Sequence, residues 1–385
     1  MAHAKLSEIA RPVRTTTTQR LLEIPSEFKS VWWGMPSFAV NDISPKHTIQ
    51  VHFTCLKDMY QFAKVIGIEM NATTKGIWYP KSAAHSFISC PGRYYYDGPK
   101  TDSRYPICIP SKGRAEVQTT GKVLDQLGVS YRFFVEETEY DTYCNVLGEE
   151  KVVKLPFHDL GHGSIPALNH IWEWAKENGH KRHWVVDDNI LAFRRCTLNR
   201  RLRVKGGGFF LAMEDFVDRY ENIAMAGPHE QGFMPSTSQL SPYLFNSRVY
   251  SCILLDTSLS QRWRGRYNED TDLSLRFLKA GYCTCLFRAL LMQKHATAFA
   301  KGKAMKGGNT DTVYKTSDHR LAFAESLKKQ HPDCVDVAWR FNRWHHMVNY
   351  TKFKNNQPIL RQGITPVAVD NEYGMVLTRR EDPEE

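Results

Sequence analysis

From residue 105 onward the chain repeats one rhythm: a short apolar run, a turn, then apolar positions at helical spacing. Residues 105–110 (YPICIP) predict a buried strand that ends in the turn 111–114. Val117, Val123, Leu124 and Leu127 then recur at helical spacing, and Gly128 stands where that helix would stop. Residues 129–135 and 151–155 predict two further strands. Ser164 is placed to cap a helix with Pro166 in its first turn, Ile165, Leu168, Ile171, Trp172 and Ala175 on one face, and Gly179 at its end. Residues 183–186 (HWVV) predict a fourth strand, which stops at Asp187-Asp188-Asn189. Beyond residue 200 the pattern is mixed. Residues 251–255 read as a strand, 271–279 as a helix closed by Gly281, and the tail from Asp318 as helical and then basic. Strands alternating with helices predict an α/β fold, a mostly parallel sheet flanked by helices.

Upstream the texture differs. Residues 1–40 read as a loosely structured arm whose VWWGMP segment offers an aromatic pair to the body. Residues 41–80 read as a small α+β module: 48–53 alternates like a strand, Leu56, Met59, Tyr60 and Ala63 follow at helical spacing, and Gly67 stops them. This stretch resembles a short module of phage-encoded proteins (VHF, FAK, IG, IWYP), which implies an interaction role. Residues 81–104, rich in Gly, Pro, Ser and Tyr, read as a linker. The main domain is then 105–335, and 336–385 is a basic aromatic segment with a flexible end.

Composition narrows the class. With 42% hydrophobic and 24% charged residues, the 385-residue chain is neither disordered nor fibrous in bulk. No apolar run is long enough to cross a bilayer, and the basic N-terminus lacks the apolar stretch of a secretory signal. Nine cysteines without a CxxC pair argue for reduced thiols in a cytosolic compartment. The net charge of +10 suits a polyanionic partner.

Six stretches carry candidate chemistry. Pro110, Ser111, Lys112 and Arg114 lie at a strand end, where backbone N–H groups and bases can meet an anion; an ordinary βα turn has the same composition. Asp187, Asp188 and Asn189 end an apolar strand and gather oxygens of the kind a hard cation, Mn²⁺ or Mg²⁺, requires; a capped strand exit reads the same way. Glu269 and Asp270 precede a helix, where one can act as a general base or simply as a cap. His295 follows an apolar run and can ligate a metal or be structural. Lys301 and Lys303 belong to a Gly–Lys stretch able to fold over a diphosphate. Arg340, Arg343, Trp344, His345, His346 and Lys352 interleave bases with aromatics in a stretch without an acid, as nucleotides need; a basic helix with core aromatics is the plainer reading.

In this order the features resemble a GT-A glycosyltransferase: Asp187-Asp188-Asn189 match its DxD-like motif, Glu269-Asp270 its later acidic pair and His295 its downstream histidine. More narrowly, IPSKGR (109–114), GHGSIPALNHIW (161–172), VVDDNI (185–190), NEDTDLSLR (268–276) and RFNRWHH with VNYTKF (340–353) resemble the phage TET/JBP-associated glycosyltransferases. The resemblance implies metal-dependent transfer of a sugar from a nucleotide-sugar, a UDP-sugar first, to a 5-hydroxymethylated pyrimidine of phage DNA. The first acceptor expected is 5-hydroxymethylcytosine. It implies Asp188, Asn189 and His295 at the metal and Asp187 toward the ribose. Asp270, with Glu269, is the base, and Asn169 joins 110–114 in the donor site. It also implies a functional link to a TET-like dioxygenase and the cytoplasm of an infected bacterial host. Two other classes fit parts of the pattern: a GT-A enzyme acting on polysaccharide, lipid or protein, and a non-catalytic DNA-binding protein.

Overall fold

The computed structural model describes residues 21–22, 26–41, 47–79 apart from 73, 75 and 78, 94–197, 200–234, 241–265, 267–295 and 320–379. Its centre is a ten-stranded sheet. Four strands come first in the chain: β1 (Ile107–Pro110), β2 (Arg132–Val135), β3 (Val152–Lys154) and β4 (Arg182–Val186). Next are β5 (Ile190–Thr197), β6 (Arg200–Arg203), β7 (Ile223–Glu230), β8 (Tyr243–Phe245), β9 (Cys252–Asp256) and β10 (Cys283–Lys294). Across the sheet the order is β3-β2-β1-β4-β9-β7-β10-β5-β6, with β8 also on β10. The pairs β3–β2, β2–β1, β1–β4 and β7–β10 are parallel. Strand β9 runs against both its neighbours, and β5 and β8 run against β10. Only β5, β8 and β9 therefore oppose the common direction, and the sheet is mostly parallel, as the strand–helix alternation implies.

Both faces of the sheet are buried, which is why its strands are continuous apolar runs. Ile107, Ile109, Phe133, Trp184 and Val186 point to one face. Cys108, Phe134 and Val185 point to the other. Helices α1 (Thr119–Leu127) and α3 (Gly208–Asp218) cover the first face through Val123, Leu124, Phe209, Phe210 and Met213. Helices α2 (Ile165–Glu177) and α4 (Glu269–Lys279) cover the second through Leu168, Ile171, Trp172, Leu273 and Phe277. Each such side chain contributes about 1.5–3 kcal/mol by leaving water. Among the described residues no helix is long and apolar enough to cross a membrane. The described cysteines form no disulfide with one another.

Three expectations change. Residues 48–53 form no strand, and Ile49 is 85% exposed; alternation supplies a strand pattern but no neighbouring edge to pair with. The helix Leu56–Ile66 does form, closed by Gly67 at φ 66°. The linker reading of 81–104 fails at its end, because Tyr94–Asp97 pairs with Val376–Arg379. Among the described residues of the tail the α-helix is α5 (Arg320–Gln330), with one 3-10 turn at Tyr350–Phe353. Beyond α5 the chain forms a β-hairpin, β11 (Val335–Arg340) with β12 (Arg343–Val348), and not a basic helix. Its turn residues Phe341 and Asn342 have φ of 50° and 56°, the left-handed pair that a two-residue hairpin loop requires. Asn accepts that conformation readily, whereas for Phe it costs about 1–2 kcal/mol.

The expected arm does reach the body. Trp32 is buried against Phe216, Tyr243 and Phe287, and the Arg219 guanidinium lies 4.0 Å from the Trp33 ring centre.

Candidate active site

Because β1, β4, β7 and β10 run the same way, Pro110, Val186, Glu230 and Lys294 end at one edge of the sheet. The antiparallel β9 starts at that edge, so the segment 248–251 before it lies there too. Ligands of open α/β sheets bind beyond this edge.

The turn 187–189 is tied down from several sides. Thr120 Oγ1 donates to the Asp187 carbonyl at 2.6 Å and accepts from the Ile190 N–H at 2.9 Å. Asp188 is buried; its Oδ1 is ion-paired with Arg114 and its Oδ2 accepts from Ser111 Oγ at 2.6 Å. Burial raises the Asp188 pKa, against the opposing pull of Arg114 and Ser111. Asp187 differs: its side chain is 41% exposed and its Oδ2 lies 2.8 Å from Lys294 Nζ. Lys294 also donates to Ser251 Oγ at 2.7 Å. Burial lowers the Lys294 pKa, but Asp187, Glu230 and Asp270 together outweigh burial and raise it.

Glu269 and Asp270 open α4, where the helix N-terminus favours negative charge. Burial and then the Asp270 charge push Glu269 up to about 7, so it is partly protonated near neutrality. Asp270 Oδ1 accepts from the Thr271 N–H at 2.6 Å. Among the described residues Oδ2 has no donor, which leaves that oxygen for chemistry. Asp270 acts electrostatically on Arg248, Tyr250, His346 and Tyr350, so these side chains share its surroundings. The Arg248 guanidinium lies 4.4 Å from the Tyr250 ring centre. Glu230, raised by burial, feels both Lys294 and Arg248. Around Lys294 and Arg248 the edge therefore gathers Asp187, Glu230, Glu269 and Asp270.

The acidic motif implies a divalent cation, and its donors do not fit one as they are arranged. Both Asp188 oxygens are engaged and Lys294 occupies one oxygen of Asp187, whereas Asn189 Oδ1, buried with no partner among the described residues, is left open as a donor. His295 meets Asn189 only through its backbone N–H, at 3.1 Å from the Asn189 carbonyl. Among the described residues no three His, Cys, Asp or Glu side chains cluster closely enough to hold a metal. Within the expected set of Asp188, Asn189 and His295, Asp188 is paired with Arg114, and the neighbouring Asp187 is paired with Lys294.

Other expected donor-site residues divide. Pro110 ends β1 and Ser111 hangs its N–H on the Phe134 carbonyl at 3.2 Å, beside the acidic turn. Lys112 turns away to Glu136 and Asp159 at 2.6 and 2.5 Å. Asn169 donates its amide to the Trp263 carbonyl and accepts the Trp263 N–H, both at 2.9 Å, and so pins a loop to α2. Lys301 and Lys303 lie outside the described residues.

In the tail, side-chain alternation along β12 puts Trp344 and His346 on one face and Arg343 and His345 on the other. His346 is the histidine near Asp270, and burial with the Arg248 charge lowers its pKa to about 4, so it is neutral at pH 7. His345 Nε2 accepts from Arg343 Nε at 3.0 Å, Arg340 pairs with Arg343 at the tip, and Lys352 donates to the Asp333 carbonyl. The residues that spacing missed are Arg248, Tyr250 and Glu230, while Lys294 and Tyr350 lie in stretches it singled out without being given a role. Lys294 and Glu230 end strands on the active edge and were findable once β7 and β10 were known; Arg248 carries no local signal.

The model of the TET-associated glycosyltransferase family matches residues 105–304. No curated protein matches the sequence. Among solved structures, a nucleotide-diphospho-sugar transferase from Desulfovibrio desulfuricans G20 is similar at 12% identity and TM-score 0.30, over 60% of this chain and 98% of that one. TarS from S. aureus is similar at 10% identity and TM-score 0.32, over 68% of this chain and 99% of that one.

Proposed function

Because the chain belongs to the TET-associated glycosyltransferase family, we propose that this glycosyltransferase moves a sugar from a nucleotide-sugar to the hydroxymethyl group of a 5-hydroxymethylated pyrimidine in DNA. The observation that carries the DNA acceptor is a convergence. The basic stretch without an acid, 337–369, is anchored on α4, and α4 begins with the acid pair. Leu275 and Leu278 of α4 form one core with Leu327, Val335 and Phe353, and Asp270 acts electrostatically on His346 of the hairpin and on Tyr350 after it.

In this reading Asp270 takes the proton of the acceptor hydroxyl as its oxygen attacks the anomeric carbon. The bond from that carbon to the diphosphate oxygen breaks as the new bond forms, through an oxocarbenium-like state. Lys294 and Arg248 stabilise the charge that gathers on the departing diphosphate. Ser111 and the turn 187–189 hold the nucleotide half of the donor. Arg340 and Arg343 take backbone phosphates, and Trp344 lies toward the extruded base, which an enzyme must draw out of a duplex to reach it.

The test is direct. Duplex DNA containing 5-hydroxymethylcytosine is incubated with the enzyme and a panel of UDP-sugars, and its nucleosides are then weighed by mass spectrometry. A nucleoside heavier by one sugar, absent from unmodified DNA, is expected. Hydrolysis of a UDP-sugar with no such nucleoside from any hydroxymethylated DNA would overturn the DNA acceptor.

A further inference from the structure

The hairpin tip has a feature that phosphate binding leaves unexplained. Phe341 is 86% exposed, the most exposed of the described large apolar side chains. It holds the left-handed backbone at φ 50°, where Asn or Gly would rest without strain. Strained positions of this kind persist at functional sites. Arg340 and Arg343 flank it as a cross-strand pair. Behind it, Trp339 and Trp344 pair across the strands edge to face, with ring centres 5.4 Å apart and Trp339 still 56% exposed. From His346, beside the acid pair, to Phe341 is five residues, a span of about 17 Å. The tip is thus an apolar prong between two cations, within reach of a base held at Asp270.

We propose that Phe341 is a wedge that enters the stack of duplex DNA beside the modified pyrimidine and fills the place its base leaves. This rests on the DNA reading above and adds the residue that makes a duplex accessible. The occupant is set by chemistry. Arg340 and Arg343 need anions on either side of the inserted ring, and between them the ring needs a flat apolar slot. A base step flanked by its two phosphates offers both, and apolar side chains inserted at such steps unstack them. Phosphate contact alone would be served by Asn or Gly at this turn, without the cost of an exposed phenylalanine.

Phe341→Ala, Phe341→Leu and the wild type are compared with a UDP-sugar that the wild type accepts. The acceptors are matched duplex, single-stranded DNA, and a duplex with an abasic site opposite 5-hydroxymethylcytosine. We expect Phe341→Ala to lose about tenfold or more in kcat/KM on the matched duplex. Single strands and the abasic duplex, whose target base already lacks a pair, should change less than about twofold. Phe341→Leu should recover most of the loss, and the melting temperature should not move. Equal loss on all three acceptors, or no loss on the duplex, would overturn the wedge. Base opening is also read without sugar transfer, from the fluorescence of 2-aminopurine placed next to the hydroxymethylated base. A rise with wild type that disappears in Phe341→Ala supports the wedge even if no sugar reaches DNA. No rise with wild type overturns it even if sugar transfer succeeds.

Discussion

Lys294 Nζ lies 2.8 Å from Asp187 Oδ2 and so ties together the ends of β10 and β4, two strands that are not neighbours in the sheet. The turn after β4 crosses to β5, and β5 pairs with β10, which brings the acid back to the lysine. In the proposed reaction this fixed cation meets the departing diphosphate. Lys294→Gln keeps hydrogen bonding and removes the charge. We expect the dissociation constant for the nucleotide-sugar to rise about 10–100-fold, the scale of one charged hydrogen bond of about 1.5–3 kcal/mol. Calorimetric titration with the accepted UDP-sugar reads it; unchanged affinity would move the diphosphate elsewhere.

Asp188 and Arg114 are a buried pair, so removing either leaves a charge without its partner. Asp188→Ala should cost about 3–5 kcal/mol of stability. Chemical denaturation measures this. A fully stable Asp188→Ala protein would show that the carboxylate is free for another task.

Asp270→Asn preserves size and removes basicity. Turnover should fall about 10²-fold or more while nucleotide-sugar binding holds. Near-normal turnover would make Asp270 a cap of α4 and pass the proton to Glu269.

Glu269 titrates near 7 in the fold against an ordinary 4.5. Between those values the folded protein keeps a proton that the unfolded chain has released. Stability therefore falls as pH rises through that window. Glu269→Gln removes the penalty, so the variant should exceed the wild type by roughly 1–3 kcal/mol at pH 8 and match it near pH 4. Thermal melts across this range would reveal a flat difference if Glu269 were solvated.

Arg340 and Arg343 differ from Lys352, whose ammonium already serves the Asp333 carbonyl. Arg343→Ala should weaken binding to any DNA sequence and lower the salt slope by about one unit, whereas Lys352→Ala should leave the slope nearly unchanged. Binding isotherms at several salt concentrations separate the two.

The strands from 107 to 186 and the helices at 119, 165 and 269 were legible because burial on both faces of the sheet writes itself as continuous apolar runs broken by glycine. The acidic turn and the acid pair were legible as polar clusters at the ends of such runs. The state of the turn was not. Whether Asp188 meets a cation of the chain or a metal depends on Arg114, 74 residues away. The hairpin at 335–348 was missed for a local reason, since Trp339 to Trp344 reads as scattered aromatics until Phe341 and Asn342 are seen in the left-handed region. Residues 48–53 show the opposite failure, a strand pattern without a mate.

Ser37 and Glu372 meet through a 2.9 Å hydrogen bond across 335 residues, and Arg195 joins both. Asn371 also reaches the Met35 carbonyl, and Tyr94–Asp97 is completed by Val376–Arg379. On the ribosome the early segment that carries Trp32 and Met35 must wait for nearly the whole chain before this clasp can close. The contacts at the greatest separation are therefore the last that synthesis makes available. Until they form, the nascent domain holds the apolar surface meant for Trp32 open to solvent and to other chains. Cutting the protein back to 105–304 would make that interim state permanent.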